Sequence, residues 1–416
     1  MKSKSVRAIG ALVLTTALVG ALAACSSGSS TTTSSAPKGT YTFWDPYPQY
    51  NQSADWTKLV ESCGTKAGVT VKRTGYDTTA LVNKALLAGQ QKASPDVLLV
   101  DNPSVSTFAS AGLLTDTSQT KLPTKGIEAN ILAAGQISGK TFGVPIGANT
   151  LALYYNKDIL SKAGVDVSSI TSWDSLTAAL AKVKAIGDAG ITFSGINTEE
   201  GSFQFLPWFW GSGANLTKLD SGDAVSALSL LTGWVKDGYA PNSVIQDTQT
   251  TSWQEFIAGK TAFSENGTWQ LAGAKASGLN YGIISIPGKD SGSAPAPTGG
   301  EFLTIPVQKN TARYQVSEKI VSCLIGTDNS VTTDNTLSYI APTAAAQAKQ
   351  VATNASLVPW VKAVKDAKGR TSDNLGTKYP KISEQLWTAL QGALSGTGTP
   401  AALLKTAQTA AAAAVK

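Results

Sequence analysis

Histidine is absent from all 416 residues. That absence removes Ser-His-Asp and Cys-His nucleophilic sites and the commonest zinc ligand, so no metal site is expected. Cysteine occurs only at positions 25, 63 and 323. Charged residues make up only 15% of the chain, and the formal charge is +6. Three of the positive charges are Lys2, Lys4 and Arg7 at the extreme N-terminus, and no basic cluster follows them. A nucleic-acid footprint is excluded on those grounds. Gly139-Lys140-Thr141 and Gly259-Lys260-Thr261 have the end of a phosphate loop, but the glycine required five residues earlier is Ala134 in one and Gln254 in the other. Both fail the pattern, and no cofactor is expected. Carboxylates at Glu199-Glu200, Glu265 and Glu301 leave a histidine-free glycosidase conceivable. No spacing in one dimension brings two of them into a shared site, so the chain is read as a non-enzyme.

What is present begins with an export signal. Lys2, Lys4 and Arg7 precede an uncharged stretch, Ala8 to Ala24, that ends in Leu22-Ala23-Ala24-Cys25. The stretch is short for a spanning helix, which needs about 20 apolar residues. The tetrapeptide resembles the bacterial lipobox, which predicts a signal peptide over 1–24 and lipidation of Cys25. Residues 25–38 are a Ser/Thr/Gly run without core-forming side chains and read as a flexible leash. The expected location is extracytoplasmic, lipid-anchored to the outer face of the cell membrane. That compartment is oxidising, so Cys63 and Cys323 are either one disulfide or two buried thiols.

About 375 residues beyond the leash exceed one hydrophobic core, and two domains are expected. Tyr41–Trp44 reads as a strand, and Ala54–Lys66 as a helix with Trp56, Leu59, Val60 and Cys63 on one face. A strand at Val69–Lys72, a helix at Thr79–Gln91 and a strand at Asp96–Asp101 complete an α/β alternation. Ser172 is placed to cap a helix carrying Trp173, Leu176, Leu180, Val183 and Ile186. Helices are predicted at Asp223–Lys236, Thr251–Ala258, Ile382–Leu394 and Pro400–Lys416, with strands at Lys260–Glu265 and Tyr281–Ile286. Pro287–Gly300 reads as an internal linker.

Ten tryptophans are many for this length. Ligands in open α/β sheets bind beyond the carboxyl ends of the strands, where Trp44-Asp45 and Asp101-Asn102 fall. A flat apolar ring beside hydrogen-bonding side chains suits a sugar, whose C–H faces stack while its hydroxyls pair. The alternative for Trp44 is packing in the core, and for Asp101 capping a helix over Val105–Ala111.

Gly139-Lys140-Thr141-Phe142-Gly143-Val144-Pro145, followed by Asn149 through Asp158, resembles the signature of family 1 extracellular solute-binding proteins, the maltose-type, sugar-binding components of ABC importers. Thr171–Leu176, Phe256–Phe263 with Asn266-Gly267-Thr268-Trp269, Thr298–Ile305, Tyr339–Thr343 and Leu386–Gly396 are similar to further blocks of that family, in the same order. The resemblance implies an α/β, two-lobed, periplasmic-binding-protein-like (class II) fold with a hinge and a ligand cleft. Its N-terminal lobe is expected at 39–147 plus 298–342, and its C-terminal lobe at 148–297 plus 343–416. Cys63 and Cys323 then fall in the first lobe.

Carried over by position, the expected ligand-binding residues are Trp44, Asp45, Asp101, Asn149, Trp269 and Gly300, with Trp269 the stacking platform. Glu301 joins them, either on the sugar or paired with a cation. Phe203–Gly211, read as strand or irregular chain, offers Trp208 to the cleft, unless Trp208 and Trp210 are both core. Glu199-Glu200 and Tyr76-Asp77 are polar candidates with nothing to fix them. The implied function is capture of a sugar or oligosaccharide and its delivery to ABC permease transmembrane subunits, by a monomer held to the membrane through its lipid. A non-sugar solute on the same scaffold is the alternative. With Arg73, Arg313 and Arg370 the only arginines beyond the leader, an anion is disfavoured.

Overall fold

The computed structural model describes residues 38–371 and 375–415. Cys25, the signal peptide and all but the last residue of the leash lie outside the described residues. Two sheets organise the chain. The first contains β1 (Thr40–Asp45), β2 (Thr70–Gly75), β3 (Val97–Asp101), β4 (Gly143–Pro145) and, arriving much later, β10 (Glu301–Thr304). The second contains β5 (Leu151–Asn156), β6 (Ala189–Thr192), β7 (Thr261–Gly267) and β8 (Tyr281–Ile284). Short strands β9 (Pro297–Thr298) and β11 (Lys368–Gly369) pair with each other in parallel.

The first sheet has the order β2-β1-β3-β10-β4. β1 runs parallel to both β2 and β3, whereas β10 is antiparallel to β3 and β4, with Glu301 opposite Asp101. Period-two alternation explains why these strands read as continuous apolar runs. In β3, Val97 and Leu99 enter one core with Phe43, Trp56 and Leu303. Leu98 and Val100 enter a second core on the opposite face, with Leu81, Phe108 and Phe302. Helices α1 (Asp55–Lys66), α2 (Thr78–Gln90) and α3 (Asn102–Ser110) supply those faces. The second sheet, ordered β8-β5-β7-β6, repeats the device. Leu151 and Leu153 face one core, and Ala152 and Tyr154 face another.

Helix α4 (Trp173–Ala185) begins where Ser172 accepts the Ser175 N–H, a reciprocal cap that fixes its first turn. The segment expected as strand or irregular chain is instead helix α5 (Glu199–Gly211). Every residue from Gly201 to Trp210 is buried, so no polar face marks a helical period. Around it pack α6 (Gly222–Lys236), α9 (Tyr379–Leu394) and α10 (Pro400–Ala414), while α7 (Gln249–Ile257) covers the other core. On the first sheet, α8 (Tyr314–Leu324) lies beside α1, and Cys63 and Cys323 are joined there as a disulfide with Cα atoms 5.6 Å apart. A native disulfide of this kind contributes about 2–4 kcal/mol.

Pro287–Gly300 is not a slack linker. Its last five residues are buried and bring the chain back to the first sheet beside the outgoing passage at 146–150. Asn149 bridges Gly299, and Ala148 bridges Ile340, so the crossings lie side by side. Gly300 adopts φ +106°, and a Cβ there would sit 2.5 Å from the Gly147 carbonyl oxygen. Only glycine meets both demands. Among the described residues, no helix is long and apolar enough to cross a membrane.

Candidate functional site

A cavity of about 440 Å³ opens where the crossings meet the strand ends. Asp101, Asn149, Trp269, Gly300 and Glu301 line it, joined by Glu199, Glu200, Phe203, Gln249, Tyr339 and Arg370. The volume falls within the range of small-molecule sites, about 300–1,000 Å³.

One side of the cavity is polar and begins at the end of the first sheet. Asp101 ends β3 and caps α3, its Oδ1 accepting the Asn102 N–H at 2.9 Å. The same carboxylate receives both terminal nitrogens of Arg370, at 2.6 and 3.1 Å, so it serves as cap and cavity wall together. Arg370 also donates to Glu199 at 2.8 Å and to the Asn102 side-chain oxygen at 3.0 Å. It is 2% exposed and lies over the Phe203 ring at 4.9 Å. Burial works against its charge, but the carboxylates of Asp101 and Glu199 outweigh it and hold the guanidinium protonated. Glu199 opens α5, where the helix dipole favours an anion, and accepts from Tyr379 and Ser383 as well.

Beside this cluster stands Glu301. Its Oε2 accepts the hydroxyls of Tyr47 at 2.6 Å and Tyr339 at 2.8 Å. Burial and the Asp101 charge push the Glu301 carboxyl up to about 7, against the two tyrosine donors and Arg370. The phenols themselves are pushed well above their usual range by burial and by Glu301, so they remain donors.

The other wall is aromatic and comes from the second sheet. Trp269 follows β7 in a single tight turn, half-buried, with its ring centroid 6.2 Å from that of Phe203. Gly267 makes the ring's position possible, since a Cβ there would lie 2.1 Å from Trp269 Cζ3. Glu200 is oriented by the Gln249 N–H at 2.8 Å. Asn149, at the crossing, is 6% exposed and needs the bare backbone of Gly299, whose Cβ would meet Asn149 Oδ1 at 1.9 Å.

Three expected ligand residues stand elsewhere. Asp45 is fully buried and held by Arg73 through both oxygens, at 2.5 and 2.7 Å, by the Trp56 indole N–H at 3.0 Å and by the Tyr47 N–H at 3.0 Å. It has nothing left to offer a ligand. Trp44 packs edge-on against Tyr76, with ring centroids 5.4 Å apart, outside the cavity lining. Trp208 is a core residue. Helical geometry turns it into the second lobe, edge-on to Trp234 at 5.0 Å, with its N–H donated to Glu265 at 2.7 Å. Trp210 is buried too. Tyr47, Tyr339 and Arg370 escaped sequence reasoning because their partners are far away in the chain. Glu199 and Glu200 carried one usable signal, a carboxylate pair at a helix start.

A two-lobed α/β body with a cavity at the chain crossings, aromatic on one side and hydrogen-bonding on the other, defines a solute-binding protein. The model of the bacterial extracellular solute-binding protein family matches residues 58–360, and the chain belongs to that family. It is 28% identical over 293 residues to the maltodextrin-binding protein MdxE of Bacillus subtilis, covering 67% of each chain. It is 25% identical over 287 residues to a maltooligosaccharide ABC transporter solute-binding lipoprotein of Streptococcus pneumoniae, covering 63% of each. Among solved structures, the GacH receptor of Streptomyces glaucescens, described unliganded and with acarbose, superposes with a TM-score of 0.76 at 25% identity, over 90% of this chain and 97% of that one. Maltose-bound MalE3 of T. maritima shares the fold, with a TM-score of 0.78 at 20% identity, over 90% and 99%.

Proposed function

We propose that this protein captures a neutral sugar or short oligosaccharide between its lobes and, without catalysis, hands it to the membrane subunits of an ABC importer. The observation that carries this reading is the pairing of Trp269 and Phe203 with the hydrogen-bonding wall of Asp101, Asn149 and Glu301 around one cavity. A pyranose has a C–H face for the rings and hydroxyls for the carboxylates and amide. The names of the relatives support the same class of ligand, maltodextrin and maltooligosaccharide. The lobes hinge at the adjoining passages 146–150, 298–300 and 340–343, and ligand shifts closure through contacts better made in the closed form. Cys25 carries a lipid, and residues 25–38 keep the clamp near its permease, where a short tether raises local concentration.

The test is a thermal titration of the purified protein against glucose, maltose, longer maltooligosaccharides and unrelated mono- and disaccharides. A cognate sugar at a hundred times its Kd adds about 2.7 kcal/mol to folding stability and raises Tm. A broad panel without any shift rejects the reading.

A further inference from the structure

We propose that Glu301 makes the cleft a charge discriminator, so that saccharides bearing an amine bind best, neutral ones next and acidic ones worst. The proposal rests on the saccharide reading above and adds a rule for choosing among saccharides.

Four carboxylates line the cavity (Asp101, Glu199, Glu200 and Glu301) against one cation, Arg370. That cation is committed at both terminal nitrogens. Its terminal nitrogens serve Asp101, Glu199 and Asn102, and its Nε is buried without a partner, beyond the reach of a ligand. No positive group lining the cavity is therefore left to receive a carboxylate or phosphate on an incoming sugar. Of the negative groups, Asp101 and Glu199 are both paired with Arg370. Glu200 is turned by the Gln249 N–H.

Glu301, unlike Asp101 and Glu199, has no cation bound to it. Both of its protein partners are neutral hydroxyls, and both converge on Oε2. Its Oε1 accepts no hydrogen bond from the described residues. A group arriving there must donate when Glu301 is ionised. A hydroxyl satisfies the acceptor, an ammonium satisfies it and also neutralises the charge, and an anion meets a repulsion that nothing nearby relieves. Discrimination built from an unrelieved repulsion is as effective as one built from a new attraction.

The groups facing Glu301 set its pH dependence: Tyr47 from the segment after β1, Tyr339 from the segment before the last crossing, Asp101 on the adjacent strand, and Arg370. With its carboxyl at about 7, Glu301 is largely ionised at pH 8 and largely neutral at pH 6. Discrimination should be strong at pH 8 and weak at pH 6.

The experiment uses the full-length protein in detergent and three probes: a neutral glucose disaccharide that it binds, its 6-amino-6-deoxy analogue and its C6 uronic acid. Calorimetric titration at pH 8 should place the amine about tenfold tighter than the neutral sugar and the acid about tenfold weaker. At pH 6 the series should contract. Glu301→Gln should narrow the series at both pH values, and a urea-unfolding curve matching that of the native protein serves as its folding control. Glu301→Asp should keep the order. A flat series in the native protein, or an undiminished one in Glu301→Gln, overturns the proposal and leaves saccharide binding standing. Failure of every saccharide to bind would bring down both readings together.

Discussion

The carboxyl ends of β1 and β3 look alike in sequence and do opposite things in the structure. Each closes on an aspartate, Asp45 and Asp101, and each aspartate takes both oxygens to an arginine. The Asp45 pair is internal to one lobe. Arg73 reaches it from β2, Trp56 from α1 seals it, and both side chains are at most 6% exposed. The Asp101 pair spans the cleft, because Arg370 also holds Glu199 on the helix that lines the opposite wall. The sheet order explains the difference. β1 is flanked by β2 and β3, and the loop and helix that follow it fold back over its end. β3 abuts β10, which arrives from a chain crossing and leaves that end open to the cavity. A strand end opens onto the cavity when its neighbour in the sheet arrives from a chain crossing.

Breaking the two pairs should separate stability from binding. Arg73→Met leaves the Asp45 carboxyl buried without its cation, which costs about 3–5 kcal/mol of folding stability. Urea unfolding should show that loss, while the folded fraction keeps the Kd of the native protein. Arg370→Met should cost about 3 kcal/mol, toward the low end of the same range, because Asp101 and Glu199 remain 21% and 33% exposed and solvent takes up part of the loss. Its Kd should rise more than about tenfold, since the wall loses the group that fixes both carboxylates. An unchanged Kd in Arg370→Met, or a changed one in Arg73→Met, contradicts the distinction.

The aromatic residues draw the same line at smaller amplitude. Trp269→Ala removes the exposed face of the cavity ring and should weaken saccharide binding by about 1–3 kcal/mol. Trp44→Ala, at the closed strand end, should leave affinity unchanged. Titration calorimetry on the two variants side by side decides it, and a larger loss at Trp44 would move the cleft along the same end of the sheet, from β3 to β1.

Much of the fold was legible because local rules were sufficient for it. The alternation of strand and helix through residue 110, the cap at Ser172 and the face of α1 carrying Trp56, Val60 and Cys63 all follow from short-range patterns. Helix α5 was hidden by its own burial, since five aromatic residues and Pro207 on all sides of a buried helix show no amphipathic period. The cavity was half legible. Asn149, Trp269, Gly300 and Glu301 belong to motifs whose glycines mark close backbone approach, and Asp101 ends a legible strand. Arg370 stands alone among Ala, Lys and Gly, 269 residues from Asp101 and 171 from Glu199. No one-dimensional pattern joins residues at that range. Asp45 was misplaced for the converse reason, since its dipeptide fits a cleft and only the neighbouring strand reveals that Arg73 has already claimed it.

A second pair of carboxylates gives the finest test of closed against open. Glu265 lies in β7, completely buried, with Oε2 on the Trp208 N–H and Oε1 without a partner among the described residues. Burial raises its carboxyl well above the ordinary range, and the single indole donor does not reverse the shift. The native chain therefore keeps a proton on Glu265 that the unfolded chain releases above about pH 4.5. Folding stability falls as pH rises from there, because the unfolded state binds fewer protons. Glu265→Gln keeps an acceptor for Trp208 and cannot ionise. It should match the native protein within about 1 kcal/mol at pH 4 and exceed it at pH 8. Ligand affinity should not change, whereas Glu301→Gln, on the open side, alters which ligands bind. Urea unfolding at pH 4, 6 and 8 measures the first half of the contrast. A Glu265→Gln variant less stable than the native protein at pH 8 would mean that the ionised carboxylate finds a partner in the core.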